Sequence, residues 1–293
     1  MGTDIASIFA SGGWHVHMVE PSEERRSSFP DRLKAAVRMI PGGKGEFSFS
    51  LYAFLRELPW AKIQMAIECV PENLSVKQEV FAELEALAPP GIPLGSNSSG
   101  FPISLIGRGL ATQERMLGLH FFMPAHLVPL VEVISSERTR PSVADRIMGI
   151  MSRLGKRPVQ VRRDIPGFLA NRIQHALMRE AFDLIDKGIA SPADIDAAVR
   201  YGFGFRYIAA GPLLQKDLSG LDSQYAAAVS IYPDLCNSRE PSRFLREKVQ
   251  AGQIGVKSGK GIYDWPANEG ARQKALYEKR LRRALDILLE EEI

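Results

Sequence analysis

The chain has 293 residues, 45% of them hydrophobic and 24% charged, with a net charge of +3 spread without basic blocks. That make-up fits a folded polypeptide with sizeable cores and argues against disorder, a nucleic-acid tract or a membrane-surface patch, and no apolar run reaches the ~18 residues of a bilayer span. Cys69 and Cys236 are too few and too far apart for a disulfide framework or a zinc site, and no leader-like pattern opens the chain, so a reducing cytoplasm is the expected compartment.

The first dozen residues read as a helix, with Ile5, Ile8 and Phe9 on one face and Gly12-Gly13 closing it. Residues 14–19 then alternate toward Glu20. This is the second half of a nucleotide-binding βαβ unit without the strand that should come first. Further strands are expected at "IQMAIECVP", "IPLGSNSS", "MLGLHFFMP", "VPLVEVI" and "RPVQVRRD", with helices at "SVKQEVFAELEALA" and "PSVADRIMGIMSRLG". The alternation predicts an α/β domain with a parallel sheet. Gly42, Gly43 and Gly45 read as a loop, since no strand precedes them closely enough for a phosphate-binding turn. After "RRDIPGF" the texture changes: Asn171 to Ile189 forms one amphipathic helix, "SPADIDAAVRYGF" opens with a Ser cap and a Pro at its first turn, and helices continue to the end. The boundary is placed near Asp164, giving domains over 1–164 and 165–293.

Three stretches of the first domain carry candidate chemistry. "GSNSSGF" leaves a strand at the end where open α/β sheets bind ligands, although a polar turn capped by its serines explains it equally well. His120 is flanked by Leu119, Phe121 and Phe122, and Glu132 lies in the run "LVPLVEVI". A carboxylate in such a run needs a partner, and two consecutive apolar strands that each hide one ionisable group suggest that the two groups meet. A histidine held in one tautomer by a glutamate is the arrangement that removes a proton from a substrate hydroxyl. His120 with His126 lacks metal-ligand spacing, and no GxSxG elbow supports a serine hydrolase. Glu20 stands where dinucleotide-binding folds place the carboxylate that meets the adenine ribose, or is simply a turn carboxylate.

Together "SNSSGFPIS", "GLHFFMP", "PLVEV", "PGFLANR", "GPLLQKDLSGLD" and "KSGKGIYDW" resemble the L-3-hydroxyacyl-CoA dehydrogenases over nearly the whole length. The resemblance implies a Rossmann-like doubly wound sheet, here lacking its first strand, followed by an all-helical substrate and dimerisation domain. It implies His120 as general base, Glu132 as its orienting partner, and Ser99 and Asn171 at the substrate oxygen. It implies NAD as cofactor, with Gly2, Glu20, Glu72, Lys77 and Asn97 around it; the bland reading of Glu72 and Lys77 is an exposed helix start. Met1-Gly2 corresponds to the end of the family's GxGxxG turn. Met123 replaces the asparagine of the family's "HFFNP", and Arg206 in "FGFRYIAAGP" resembles the branch that oxidises free hydroxy acids such as gulonate and carnitine. The expected activity is oxidation of a short L-3-hydroxyacyl-CoA by a homodimer, with a free 3-hydroxy acid as the alternative substrate and a non-catalytic family member as the rival class.

Overall fold

A computed structural model describes residues 1–40 and 46–290. It divides into two compact units, Met1–Arg172 and Ile173–Ile293. The glycines at 42, 43 and 45 lie outside the described residues.

The first unit alternates helix and strand. Helix α1 (Gly2–Ser11) leads through a Gly12-Gly13 turn into β1 (His15–Val19). Then come α2 (Glu23–Met39), β2 (Ser48–Tyr52), β3 (Ala66–Glu68), α3 (Leu74–Leu87), β4 (Leu94–Ser96), a short α4 (Ile103–Ile106), β5 (Met116–Phe121), β6 (Leu130–Ile134), α5 (Pro141–Arg153) and β7 (Arg157–Val161). The hydrogen-bonded strands form two pieces: β1 pairs with β2, and β3 to β7 make a five-stranded sheet in chain order. No described strand bridges β1 and β3, so the sheet is interrupted where the sequence pattern lacks a strand. A cleft of about 1790 Å³ runs between these edges, lined by Gly2, Met18, Glu20, Ile67 and Cys69 among others.

The expectation of a parallel sheet needs one correction. β6 is antiparallel to β5, while β7 is parallel to β6. Only residues 122–129 join β5 to β6, too few for the helical crossover that a parallel pair needs.

The sequence pattern also gave no element to α2 and β2. Pro30 and a mostly charged surface obscure α2, yet Phe29, Leu33, Ala36 and Val37 are buried at helical spacing. This face packs on Ala6 and Ala10 of α1. Ile5, Ile8 and Phe9, on another face of α1, join Leu117, Leu119, Phe121, Val131 and Val133 in the main core. Position 118 leaves little room for a side chain, because a Cβ there would stand 3.0 Å from Ile134 Cβ on the neighbouring strand.

The second unit is helical. It holds most of α6 (Ala170–Asp186), then α7 (Pro192–Ala198), α8 (Gly204–Arg206), α9 (Pro212–Ser219), α10 (Leu221–Ile231), α11 (Arg243–Gln250) and α12 (Glu269–Glu290). Ser191 caps α7 by accepting from Asp194 N at 3.2 Å, and Pro192 occupies the first turn. No described helix is long and apolar enough to cross a membrane.

Candidate active site

The antiparallel register of β5 and β6 sets His120 directly opposite Glu132. Cross-strand neighbours on one face are close enough for their side chains to bond. His120 Nδ1 lies 2.7 Å from Glu132 Oε2, and both side chains are buried. The other carboxylate oxygen accepts from Leu169 N at 3.0 Å and Ala170 N at 2.8 Å. Those amides are presented by a left-handed turn, with φ of +75° at Gly167 and +50° at Phe168, just before α6. A positive φ at a buried phenylalanine is strained backbone, and here it holds the Phe168 ring 5.7 Å from the imidazole. Phe122 packs on the imidazole as well.

Burial alone would raise the Glu132 carboxyl. The hydrogen bonds from His120, Ala170 and Leu169 outweigh that and hold it below the usual carboxylate range. An ionised Glu132 keeps the Nδ1 proton in place, so the Nε2 lone pair is available to a ligand.

The "GSNSSGF" loop leaves β4 beside this pair. Asn97 Oδ1 accepts from Phe121 N at 2.9 Å and so ties the loop to the end of β5. Ser98 Oγ accepts from Phe101 N at 2.9 Å and braces the turn, while α4 starts at Pro102 without a side-chain cap, so no serine of the loop caps it. Ser99 is exposed, and its carbonyl accepts from Asn171 Nδ2 at 3.1 Å, so the Asn171 side chain is tied to the Ser99 backbone. His120, Glu132, Asn97, Ser99 and Asn171 therefore converge at the carboxyl ends of β4 and β5.

Gly2 and Glu20 lie at the separate cleft between β1 and β3. Helix α1 has no side-chain cap, and a Cβ on Gly2 would fill the space 3.7 Å from Cys69 Cβ and 3.9 Å from Met18 Cε. Glu20 directly follows β1, accepts from Ser22 N at 3.1 Å and stands 3.8 Å from the exposed Arg25 guanidinium. An uncapped helix start with a glycine beside it offers backbone donors to a dinucleotide's pyrophosphate, and a carboxylate just after the next strand offers an acceptor to its ribose hydroxyl. The residues present fit the group.

Glu72 is exposed just ahead of α3, whereas Lys77 departs from an exposed helix start. Lys77 is only 1% exposed, and its Nζ is 3.0 Å from Glu68 Oε1 and 3.3 Å from Glu72 Oε2. The sequence pattern did not single out Glu68, although a carboxylate in "MAIECV" is the same signal that singled out Glu132. Arg206 closes α8 within the second unit and is exposed, as is Met123 in the first. His126 lies 3.8 Å from Asp4, and among the described residues no three metal-ligating side chains converge.

An interrupted doubly wound sheet, a dinucleotide-type cleft and a buried histidine–carboxylate pair define a Rossmann-fold oxidoreductase. Residues 1–165 match the NAD binding domain of 3-hydroxyacyl-CoA dehydrogenase, and residues 167–265 match its C-terminal domain. The chain belongs to the 3-hydroxyacyl-CoA dehydrogenase family, and its cofactor is NAD. It is 34% identical over 223 residues to a 5-formyl-3-hydroxy-2-methylpyridine 4-carboxylate 5-dehydrogenase of Mesorhizobium japonicum, covering 76% of this chain and 71% of that one. It is 33% identical over 275 residues to a probable 3-hydroxybutyryl-CoA dehydrogenase of Bacillus subtilis, covering 90% and 94% of the two chains. A crystal structure of a 5-formyl-3-hydroxy-2-methylpyridine 4-carboxylic acid 5-dehydrogenase, an NAD+-dependent dismutase, superposes with a TM-score of 0.91 at 29% identity, over 98% of this chain and 95% of that one.

Proposed function

We propose that the protein oxidises the 3-hydroxyl of a short L-3-hydroxyacyl-CoA to the 3-oxo product with NAD as hydride acceptor. The observation that carries this reading is the 2.7 Å contact between the buried His120 and Glu132, beside the turn that leads to Asn171. In this scheme Ser99 and Asn171 hydrogen-bond the substrate oxygen, and His120 Nε2 takes its proton. An imidazolium then forms in a site screened from water, where the Glu132 carboxylate compensates its charge. Bound NAD supplies the empty orbital for the hydride; Gly2 and the start of α1, Glu20 and Asn97 are the residues to hold it. His120→Ala is expected to lower kcat by about 10²–10⁴-fold while leaving NAD affinity nearly unchanged. Turnover close to wild type in that variant rules out the base assignment.

A second reading is favoured by the first of the relatives, whose own substrate is a free carboxylate rather than a thioester. Arg206 would then pair with the substrate carboxylate through two parallel hydrogen bonds, a contact that a thioester lacks. kcat/KM for 3-hydroxybutyryl-CoA and for free 3-hydroxy acids, each with wild type and Arg206→Ala, separates the two. A preference for free acids that the substitution abolishes establishes the second reading; thioester turnover indifferent to it supports the first. A homodimer accords with the apolar side chains exposed on α9 and α10, Leu214, Leu218, Leu221 and Tyr225. Sedimentation of the wild type and of Leu218→Glu tests it, a monomeric wild type being the contrary result.

A further inference from the structure

A buried lysine needs one carboxylate to balance its charge, and Lys77 has two. Glu68, wholly buried, receives Lys77 Nζ at 3.0 and 3.2 Å and the Ser96 hydroxyl at 2.6 Å. That pair is electrically complete. Glu72 is the surplus charge, and it is turned to the loop between β4 and α4. Its Oε1 accepts from Ser98 Oγ at 2.6 Å, Ser99 N at 3.1 Å and Gly100 N at 3.0 Å. Its Oε2 rests on Lys77. Successive backbone amides gathered on one anion are a rigid arrangement, because the donors cannot swing independently. The chain of contacts runs from Ser96 through Glu68, Lys77 and Glu72 to Ser99, and Ser99 O continues it to Asn171.

We propose that Glu72 is a positioning residue for the reaction, fixing the loop that carries Ser99 through an anchor formed by Lys77 and Glu68. This rests on the reading of Ser99 as a substrate contact. The effect of Glu72 passes through the loop, so it disappears when the loop's own contact is removed.

The test combines kinetics with amide exchange on the full chain, using 3-hydroxybutyryl-CoA and NAD. Glu72→Ala is expected to speed exchange at Ser99 and Gly100 and to lower kcat/KM by up to about 100-fold, the scale of an ångström of misplacement. The loss is expected to persist at saturating NAD, and in a Ser99→Ala background Glu72→Ala is expected to add less than about twofold, as coupled neighbours do. Unchanged exchange protection in Glu72→Ala overturns the proposal while leaving the Ser99 reading intact. Lost protection with unchanged turnover overturns the Ser99 reading instead. A full loss in the Ser99→Ala background, or one accounted for by NAD affinity, shows that Glu72 acts elsewhere and overturns the proposal. If Glu72→Ala does not fold, Glu72→Gln removes the charge facing Lys77 yet keeps an acceptor oxygen. Smaller changes in the same directions then support the proposal, and exchange and kinetics identical to wild type overturn it.

Discussion

Replacing Glu132 by glutamine changes almost no volume and reverses one hydrogen bond. Glu132 is fully buried, and its two oxygens serve three donors: His120 Nδ1 at 2.7 Å, Leu169 N at 3.0 Å and Ala170 N at 2.8 Å. An amide oxygen can continue to accept from the two backbone N–H groups. The amide nitrogen must then face Nδ1 as a donor, which requires an unprotonated Nδ1 and moves the proton to Nε2. A base with its proton on the reacting nitrogen is no base. The same tautomer inversion in a Ser-His-Asp site costs about 10⁴ in kcat, and general-base catalysis spans about 10²–10⁴, so a fall within that range is expected. Stability should fall as well. Converting three charge-assisted bonds to neutral ones, at about 1 kcal/mol each, gives a loss of about 3 kcal/mol. The assay is steady-state NADH formation, with NAD affinity from fluorescence titration and stability from urea unfolding. A kcat within about threefold of wild type in a folded Glu132→Gln protein would refute the orienting role, since that is below any general-base contribution.

Three further outcomes follow from the geometry. NAD should be preferred to NADP because Glu20 repels a 2′-phosphate; a penalty of about 1.4 kcal/mol is already a tenfold preference, and equal kcat/KM for both cofactors contradicts it. The Glu132 and Glu72 carboxyls are held below their ordinary values, so the stability they add is complete above the unfolded-state value near ~4.3 and is lost as pH falls through their folded-state values. Glu132→Gln should therefore flatten the acid limb of the unfolding free energy as pH falls below the unfolded-state value near ~4.3, and an unaltered limb speaks against an ionised Glu132. Cys69 is half-buried at the lining of the cleft; desolvation there, with the charge of Glu68 adding to it, pushes its thiol up to about 12, so Cys69 should react with iodoacetamide at pH 8 more slowly in the folded protein than once unfolded. Rapid native labelling of Cys69 would be inconsistent with that environment.

The active pair was legible in the sequence because each member breaks an apolar run, and a charged or titratable group in such a run has few ways to be satisfied. That rule by itself pairs His120 with Glu132, and the short 122–129 connection explains why they face each other across an antiparallel pair. The same rule applies to Glu68, yet its partner Lys77 looks like an ordinary helix residue. Nothing local distinguishes a lysine that points into solvent from one drawn under a strand by a buried carboxylate. Helix α2 was hidden by Pro30 and by its charged outer face, although its buried stripe of Phe29, Leu33, Ala36 and Val37 keeps helical spacing. The left-handed turn at Gly167 and Phe168 was illegible for another reason: a phenylalanine with positive φ runs against its own preference and is imposed by the packing around His120 and by Glu132.

The most direct test of the account is NADH formation from the two enantiomers of 3-hydroxybutyryl-CoA, measured with wild type and His120→Ala at a saturating NAD concentration established by titration. The account predicts reduction of NAD with the L enantiomer alone, and its loss by about 10²–10⁴-fold in the variant. Bound NAD that is reduced by neither the thioesters nor free 3-hydroxy acids, or is reduced equally well without His120, would contradict it.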